Sequence, residues 1–282
     1  MTEPPICAYS GVDNLEIMDD AVNYNAFLLD LVTSRVRPDD AILDFGAGTG
    51  VLARPLAANG YRVSCVEPDP DLRARLTQAG LGVHAGLHEI PPESFDFIYT
   101  INVLEHIRDD DIIVGALRTR LKPGGVLLVY VPAFPLLYSS MDRKVGHVRR
   151  YRHGRLVGVL RTAGLQVEFI SHQDCLGFFA GLLFKMIGND SGTLDRRALV
   201  AYDRYVFPLS RRLDRLAGMF FGKNLLAVGR RHAQRSCTLK TTGLTWSSIS
   251  SGNAWVSALC SPQSYRHPWS IVIPRDRFSL FD

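Results

Sequence analysis

The sequence predicts a doubly wound α/β fold, a mostly parallel sheet with helices on both faces. Three observations carry this prediction. Short apolar runs of strand length alternate with helical segments in five successive units that begin at Ala41. The first run ends in a glycine-rich turn that feeds a helix, AILDFGAGTG from Ala41 to Gly50. A later run, Val126 to Val131, is apolar on both faces, as an interior parallel strand requires.

Taken in order, residues 15–36 place Ile17, Ala21, Tyr24, Leu28, Leu31 and Val32 near one helical face, with Asp19 or Asp20 available at its start. The first strand then leads into Gly46, Gly48 and Gly50. Glycines there permit positive φ and let a ligand lie against bare backbone and helix-start amides, which makes a nucleotide-type pocket. The spacing is G-x-G-x-G. A dinucleotide fingerprint needs its third glycine at position 51, where this chain has Val51, so a nicotinamide dehydrogenase is disfavoured.

A helix from Leu52 to Asn59 stops at Gly60, and Tyr61 to Glu67 is the second strand. An acid at the tip of that strand, here Glu67, can accept hydrogen bonds from both hydroxyls of a ribose. A helix with Leu72, Leu76 and Ala79 precedes a third strand, Leu81 to Ala85, and the fourth runs from Phe95 to Thr100. Asp109 to Leu121 reads as a helix, and LKPGG as a tight turn into the fifth strand.

From Pro132 to Leu156 the periodicity stops and a basic run appears, MDRKVGHVRRYR, which reads either as a solvated face or as an acceptor-side segment. A helix from Arg155 to Ala163, stopped by Gly164, leads to the sixth strand, Leu165 to Ser171. The stretch Asp174 to Ile187 is too short to span a bilayer and reads as a core helix or a cap over a greasy pocket. Residues 195–221 form an arginine-studded helix or helix pair broken near Pro208, and Asn224 to Gly229 is the last strand. The remainder holds all three tryptophans and no clear period, so it reads as an appended, poorly ordered tail. The domain plan is therefore a lead-in at 1–37, a core domain at 38–232 with insertions near 133–156 and 174–221, and a tail at 233–282.

Composition bounds the function. With 282 residues, 46 % hydrophobic and 21 % charged, the chain is of ordinary globular type. Its net charge of +4 does not by itself imply nucleic acid. Its five cysteines show no C-x-x-C pair or metal-type spacing, and its start has no signal-peptide pattern, so the expectation is a cytoplasmic protein with free thiols.

Five segments in series, LDFGAGTG, VEPD, FDFIYTINVLEHI, LKPGG and NLLAVG, resemble the class I S-adenosylmethionine-dependent methyltransferases across residues 40–231. The resemblance implies a Rossmann-like, seven-stranded, mostly parallel sheet with an inserted cap and its last strand antiparallel at the sheet edge. It implies a cofactor site of Asp44, Gly46, Ala47, Gly48, Gly50, Glu67 and Pro68, with Asn102 and Val103 beside the methionine part. The leading helix either closes over the cofactor through Tyr24 and Asn25 or packs as a core helix. Where the family often carries an acid for adenine, this chain has Gly86 and Leu87, with His88 and Glu89 nearer Ile90-Pro91, so backbone and apolar contact are expected there. Some relatives that methylate quinone precursors bind a divalent metal through Glu-x-x-Glu-His. Asn102 replaces the first carboxylate ahead of Glu105 and His106, and no metal ligand is assigned.

The resemblance also implies a reaction, in-line displacement at the methyl carbon of a sulfonium, in which positioning and exclusion of water do most of the catalysis. An acceptor hydroxyl or ammonium needs a base. The basic run resembles a D-x-x-x-G-H-x-R-R-Y segment found in a subset of these enzymes; His147 is the first candidate base, His106 the second, and Tyr151 a group to orient the acceptor. The methylated atom, oxygen, nitrogen or carbon, stays open. The expected acceptor is a small or lipid-linked molecule carrying negative charge, with peripheral membrane contact open and oligomeric state unspecified. No RNA-recognition module is evident. A protein that binds the cofactor for other chemistry, or without turnover, is the alternative.

Overall fold

The structure is a computed structural model that describes residues 17–187 and 195–233. The tail from residue 234 lies outside the described residues. Seven strands form one sheet: β1 Ala41–Phe45, β2 Arg62–Val66, β3 Gly82–His84, β4 Phe95–Ile101, β5 Leu121–Pro132, β6 Leu165–Gln173 and β7 Asn224–Arg231. Their order across the sheet is β3-β2-β1-β4-β5-β7-β6, with β1 to β5 parallel and β7 antiparallel to both neighbours. Strand order reverses between β1 and β4. In open α/β sheets that crevice receives the ligand.

The expected edge position of the last strand is corrected. β7 lies between β5 and β6, and β6 takes the edge. The burial explains the exchange: β7 is buried almost throughout, whereas β6 exposes Gln166, Glu168 and Phe169, which only an edge strand can do. The fifth strand also begins earlier than expected. Leu121 pairs with Phe95 and Val126 with Phe97, so Lys122 to Gly125 bulge within β5 rather than preceding it.

Helices α1 Val22–Thr33, α2 Ala53–Ala58, α3 Pro70–Gln78, α4 Asp110–Arg120, α5 Ser140–Lys144 and α6 His153–Thr162 pack around this sheet. Neighbouring residues within each central strand face opposite cores. Ile42, Phe97, Leu128 and Tyr130 join Phe27, Leu28 and Leu31 of α1; Leu43, Ile98, Leu127 and Val129 join Val114 and Leu117 of α4 and Leu160 of α6. Burial on both faces is what a parallel interior needs.

Helix α1 is not capped by Asp19 or Asp20. The Asp203 carboxylate, distant in sequence, accepts from the Asn23 and Tyr24 amides at 2.9 and 2.8 Å. Asp203 sits in a π-type turn, Tyr202–Val206, between α8 Arg196–Ala201 and α9 Phe207–Ala217. Pro208 stands in the first turn of α9, where its missing N–H costs nothing. Helix α7, Cys175–Ile187, is not a core helix, since it exposes Phe179, Leu183 and Met186.

Candidate active site

The glycine loop is tied to the tip of β2. Gly46 and Ala47 both donate to the Val66 carbonyl, at 2.9 and 3.1 Å. Gly46 has φ +84°, and a Cβ there would stand 2.4 Å from Cγ2 of Val103, so only glycine lets the end of β4 close under the loop. Gly48 also lies in the left-handed region, and its amide donates to Oε2 of Glu67 at 2.7 Å; Asp69 donates to Oε1 at 2.9 Å. The Glu67 carboxyl is buried, and burial raises its pKa. Each oxygen keeps a further lone pair, enough for two neighbouring hydroxyls.

Asp44, beneath the loop, is buried as well, and burial pushes its carboxyl up to about 7. Leu87 is buried, with its carbonyl accepting from the Arg120 guanidinium at 2.8 Å. Glu89 accepts from the Ala85 amide at 3.0 Å, so its carboxylate is engaged within its own loop.

Asn102 stands just beyond β4 with φ +55°, in the left-handed region that asparagine tolerates better than most residues. Its amide donates to the Tyr130 carbonyl at 2.8 Å and its side chain to the Tyr24 hydroxyl at 3.3 Å. Helix α1 therefore reaches the site through Tyr24. Asn25 turns away, donating to the Met18 carbonyl at 3.0 Å.

One turn past Asn102 a second group of side chains assembles. Gly146 is left-handed, and the chain folds back so that His147 Nδ1 lies 2.7 Å from Oδ1 of Asp142. Asp142 is fully buried and also takes two bonds from Arg150 and one from the Ser139 amide. Those donors hold its carboxyl far below the ordinary range. An ionised Asp142 requires the proton on His147 Nδ1, so that in the neutral ring the lone pair is on Nε2. That Nε2 is 3.8 Å from Oε1 of Glu105, whose buried carboxylate has no hydrogen-bond partner and rises to about 7 through burial. The ring of His106 lies edge-on to His147 at 4.7 Å, and burial lowers its pKa to about 4, so it is neutral. Ligand-type atoms of Glu105, His106 and His147 all lie within 4.8 Å of one another.

Tyr151 does not join this group. It is fully buried, and its hydroxyl donates to Oδ2 of Asp110 at 2.6 Å, with the Leu104 carbonyl at 3.1 Å. The hydroxyl, expected to orient an acceptor, is anchored in the core by these two bonds. Arg149 and Arg155 share Asp110 of α4, and Arg150 pairs with Asp142, so three arginines of the basic run are engaged by two carboxylates. Asp142 and Glu105 are the contributors that the reading of candidate bases passed over. The signal for Asp142 was its place five residues before His147, with Gly146 as the hinge.

The switch-point crevice, the glycine loop and the acid after β2 define a class I methyltransferase that uses S-adenosylmethionine. The chain belongs to the methyltransferase domain family, whose profile matches residues 18–169. It is 30 % identical over 171 residues to the ubiquinone biosynthesis O-methyltransferase of Xanthomonas axonopodis pv. citri, covering 52 % of this chain and 72 % of that one. It is 31 % identical over 171 residues to the enzyme of the same name from Xylella fastidiosa strain M23, covering 52 % and 70 %. Among solved structures, phosphoethanolamine N-methyltransferase 2 of Haemonchus contortus, in complex with S-adenosyl-L-methionine, aligns with a TM-score of 0.51 at 20 % identity. That alignment covers 74 % of this chain and about half, 52 %, of the other, and it supports the fold.

Proposed function

We propose that this enzyme methylates a hydroxyl oxygen of a small acceptor, with His147 as the base. One observation carries the assignment of the base: Asp142 holds Nδ1 and so points the Nε2 lone pair of His147 at the group after β4. The sulfonium is an excellent leaving group, so the protein needs chiefly to hold the acceptor oxygen in line with the methyl carbon. As the O–CH3 bond forms and the CH3–S bond breaks, the acceptor proton passes to Nε2 and S-adenosylhomocysteine departs. The names of the matched relatives support oxygen as the methylated atom.

In this reading, cofactor contacts come from Asp44, Gly46, Ala47, Gly48, Gly50, Glu67, Pro68, Leu87, Asn102 and Val103. The finer form of the acceptor is a lipid-linked molecule. The arginines of the 142–155 run argue little for its charge, because Asp142 pairs with Arg150 and Asp110 is shared between Arg149 and Arg155. A second reading rests on the cluster of Glu105, His106 and His147, whose spacing would also admit a divalent cation.

The test is calorimetric titration with S-adenosylmethionine, S-adenosylhomocysteine and NAD, alongside Glu67→Ala, followed by methyl transfer to phenols with and without an alkyl chain. Binding of the first two ligands, weakened in the variant, is the expected result. His147→Ala should keep that affinity and lose turnover; unchanged turnover would remove His147 from the mechanism.

A further inference from the structure

The helical insertion between β6 and β7 presents apolar side chains to solvent in two ordered stripes. On α7, Phe179, Leu183 and Met186 recur at intervals of four and three residues and are 54, 56 and 75 % exposed. On α9, Leu209, Leu213 and Leu216 repeat the same spacing, and Met219 and Phe220 follow, also exposed. Such spacing places each set along one helical face. The two helices are in contact, the Leu176 amide donating to Ser210 Oγ at 2.9 Å, and the Phe179 ring lies 5.6 Å from that of Phe221 just beyond α9. Exposed apolar residues scattered singly need no explanation, but ordered runs on adjoining helices do.

Most charge in this insertion is sorted by direction, Asp195 staying exposed at the start of α8, where it accepts from the Arg197 amide. Asp203 is turned inward onto the start of α1, and the two Asp214 oxygens accept from the Asp174 and Cys175 amides, each at 2.8 Å. Arg196 pairs with Asp20 and Arg211 lies over the Phe27 ring, but four other arginines face outward. Arg197, Arg204, Arg212 and Arg215 are exposed, and none has a carboxylate within ion-pair distance among the described residues. On α9 they interleave with the apolar stripe, Arg212 beside Leu213 and Arg215 beside Leu216. Guanidinium groups flanking leucines can reach up to phosphates while the leucines enter the acyl boundary. No described helix is long and apolar enough to cross a membrane, so the contact would be peripheral.

We infer that the α7–α9 face docks on an anionic phospholipid surface. A second copy of this chain would cover the apolar stripes yet bring more unpaired arginines to the same contact. An anionic leaflet satisfies both features together. The inference does not depend on which acceptor is methylated.

The test is co-sedimentation of the full chain with vesicles of phosphatidylcholine alone and of phosphatidylcholine mixed with phosphatidylglycerol. Two double variants accompany it, Leu216→Glu with Met219→Glu, and Arg212→Glu with Arg215→Glu. All four side chains are exposed, and circular dichroism with cofactor calorimetry reports folding separately from docking. The expected result is binding to the anionic vesicles only, weakened about tenfold or more in each variant and by added salt. Equal binding to both vesicle types, or none, would overturn the inference. So would light scattering that shows a dimer lost in the Leu216→Glu, Met219→Glu protein without vesicle binding in the parent.

Discussion

Asp142 and His147 form a carboxylate–imidazole pair at 2.7 Å, and the same carboxylate grips Arg150 through two nitrogens. Asp142 thus fixes the tautomer of the proposed base while neutralising a buried guanidinium. Asp142→Asn should lower turnover by about 10² to 10⁴ per cofactor-binding molecule, as expected when an imidazole loses its orienting carboxylate. It should also lower stability by about 3 kcal/mol, because Arg150 is left buried and uncompensated. Turnover and binding-site concentration measured on one preparation separate the two effects. Normal turnover per site would show that the pair is structural only.

Glu105 faces His147 with no hydrogen bond to either oxygen, so a proton or a cation among these groups would stabilise it. If the proton is the occupant, methyl transfer should survive exhaustive chelation with EDTA. Loss of activity restored by Mn2+ would instead move Glu105, His106 and His147 into a metal site.

Gly46→Ala combines two costs, a positive φ and a Cβ placed 2.4 Å from Val103. We expect a loss of about 1–3 kcal/mol in unfolding free energy, together with weaker cofactor binding. Adding Val103→Ala should relieve the clash but not the backbone strain, so the double variant should recover only part of the loss. Full recovery would mean that strain at Gly46 is negligible.

The parts of this site that were legible in the sequence are those built by consecutive residues. The glycine loop, Glu67 at the end of β2, and Asn102 with Val103 after β4 follow from strand endings and from the backbone freedom of glycine. Three other features depend on partners distant in the chain. Tyr151 looked like an acceptor-side group because its partner Asp110 stands 41 residues earlier. The arginines around it looked free for the same reason. β7 was expected at the edge because strand spelling reports burial but not which neighbour supplies it; the exposed polar residues of β6 were the available clue. Helix α7 is apolar enough for a core, and only the packing shows one of its faces open.

Tyr151→Phe removes a hydroxyl that donates to Asp110 at 2.6 Å in a buried position. Arg149 and Arg155 remain on Asp110, each 2.8 Å from Oδ1, so the carboxylate keeps partners. The expected cost is about 1–2 kcal/mol of stability, with kcat and KM unchanged. A large fall in kcat for a fully folded variant would return Tyr151 to the mechanism.

Asp44 supplies a prediction about pH. Its folded pKa is pushed up to about 7 by burial, with Glu67 adding to the effect, against an ordinary aspartate value near 3.8. Between those values the folded state holds a proton that the unfolded chain has released, so this residue makes stability fall as pH rises from about 4 to about 7 and level off above. Asp44→Asn removes the dependence. Relative to the parent, the variant should therefore gain stability across that interval, by up to about 4 kcal/mol at pH 8 compared with pH 4. Any constant cost of the amide cancels in the comparison. Urea unfolding of both proteins through this range is the measurement, and parallel curves would show that Asp44 ionises in the folded state as readily as it does in the unfolded chain.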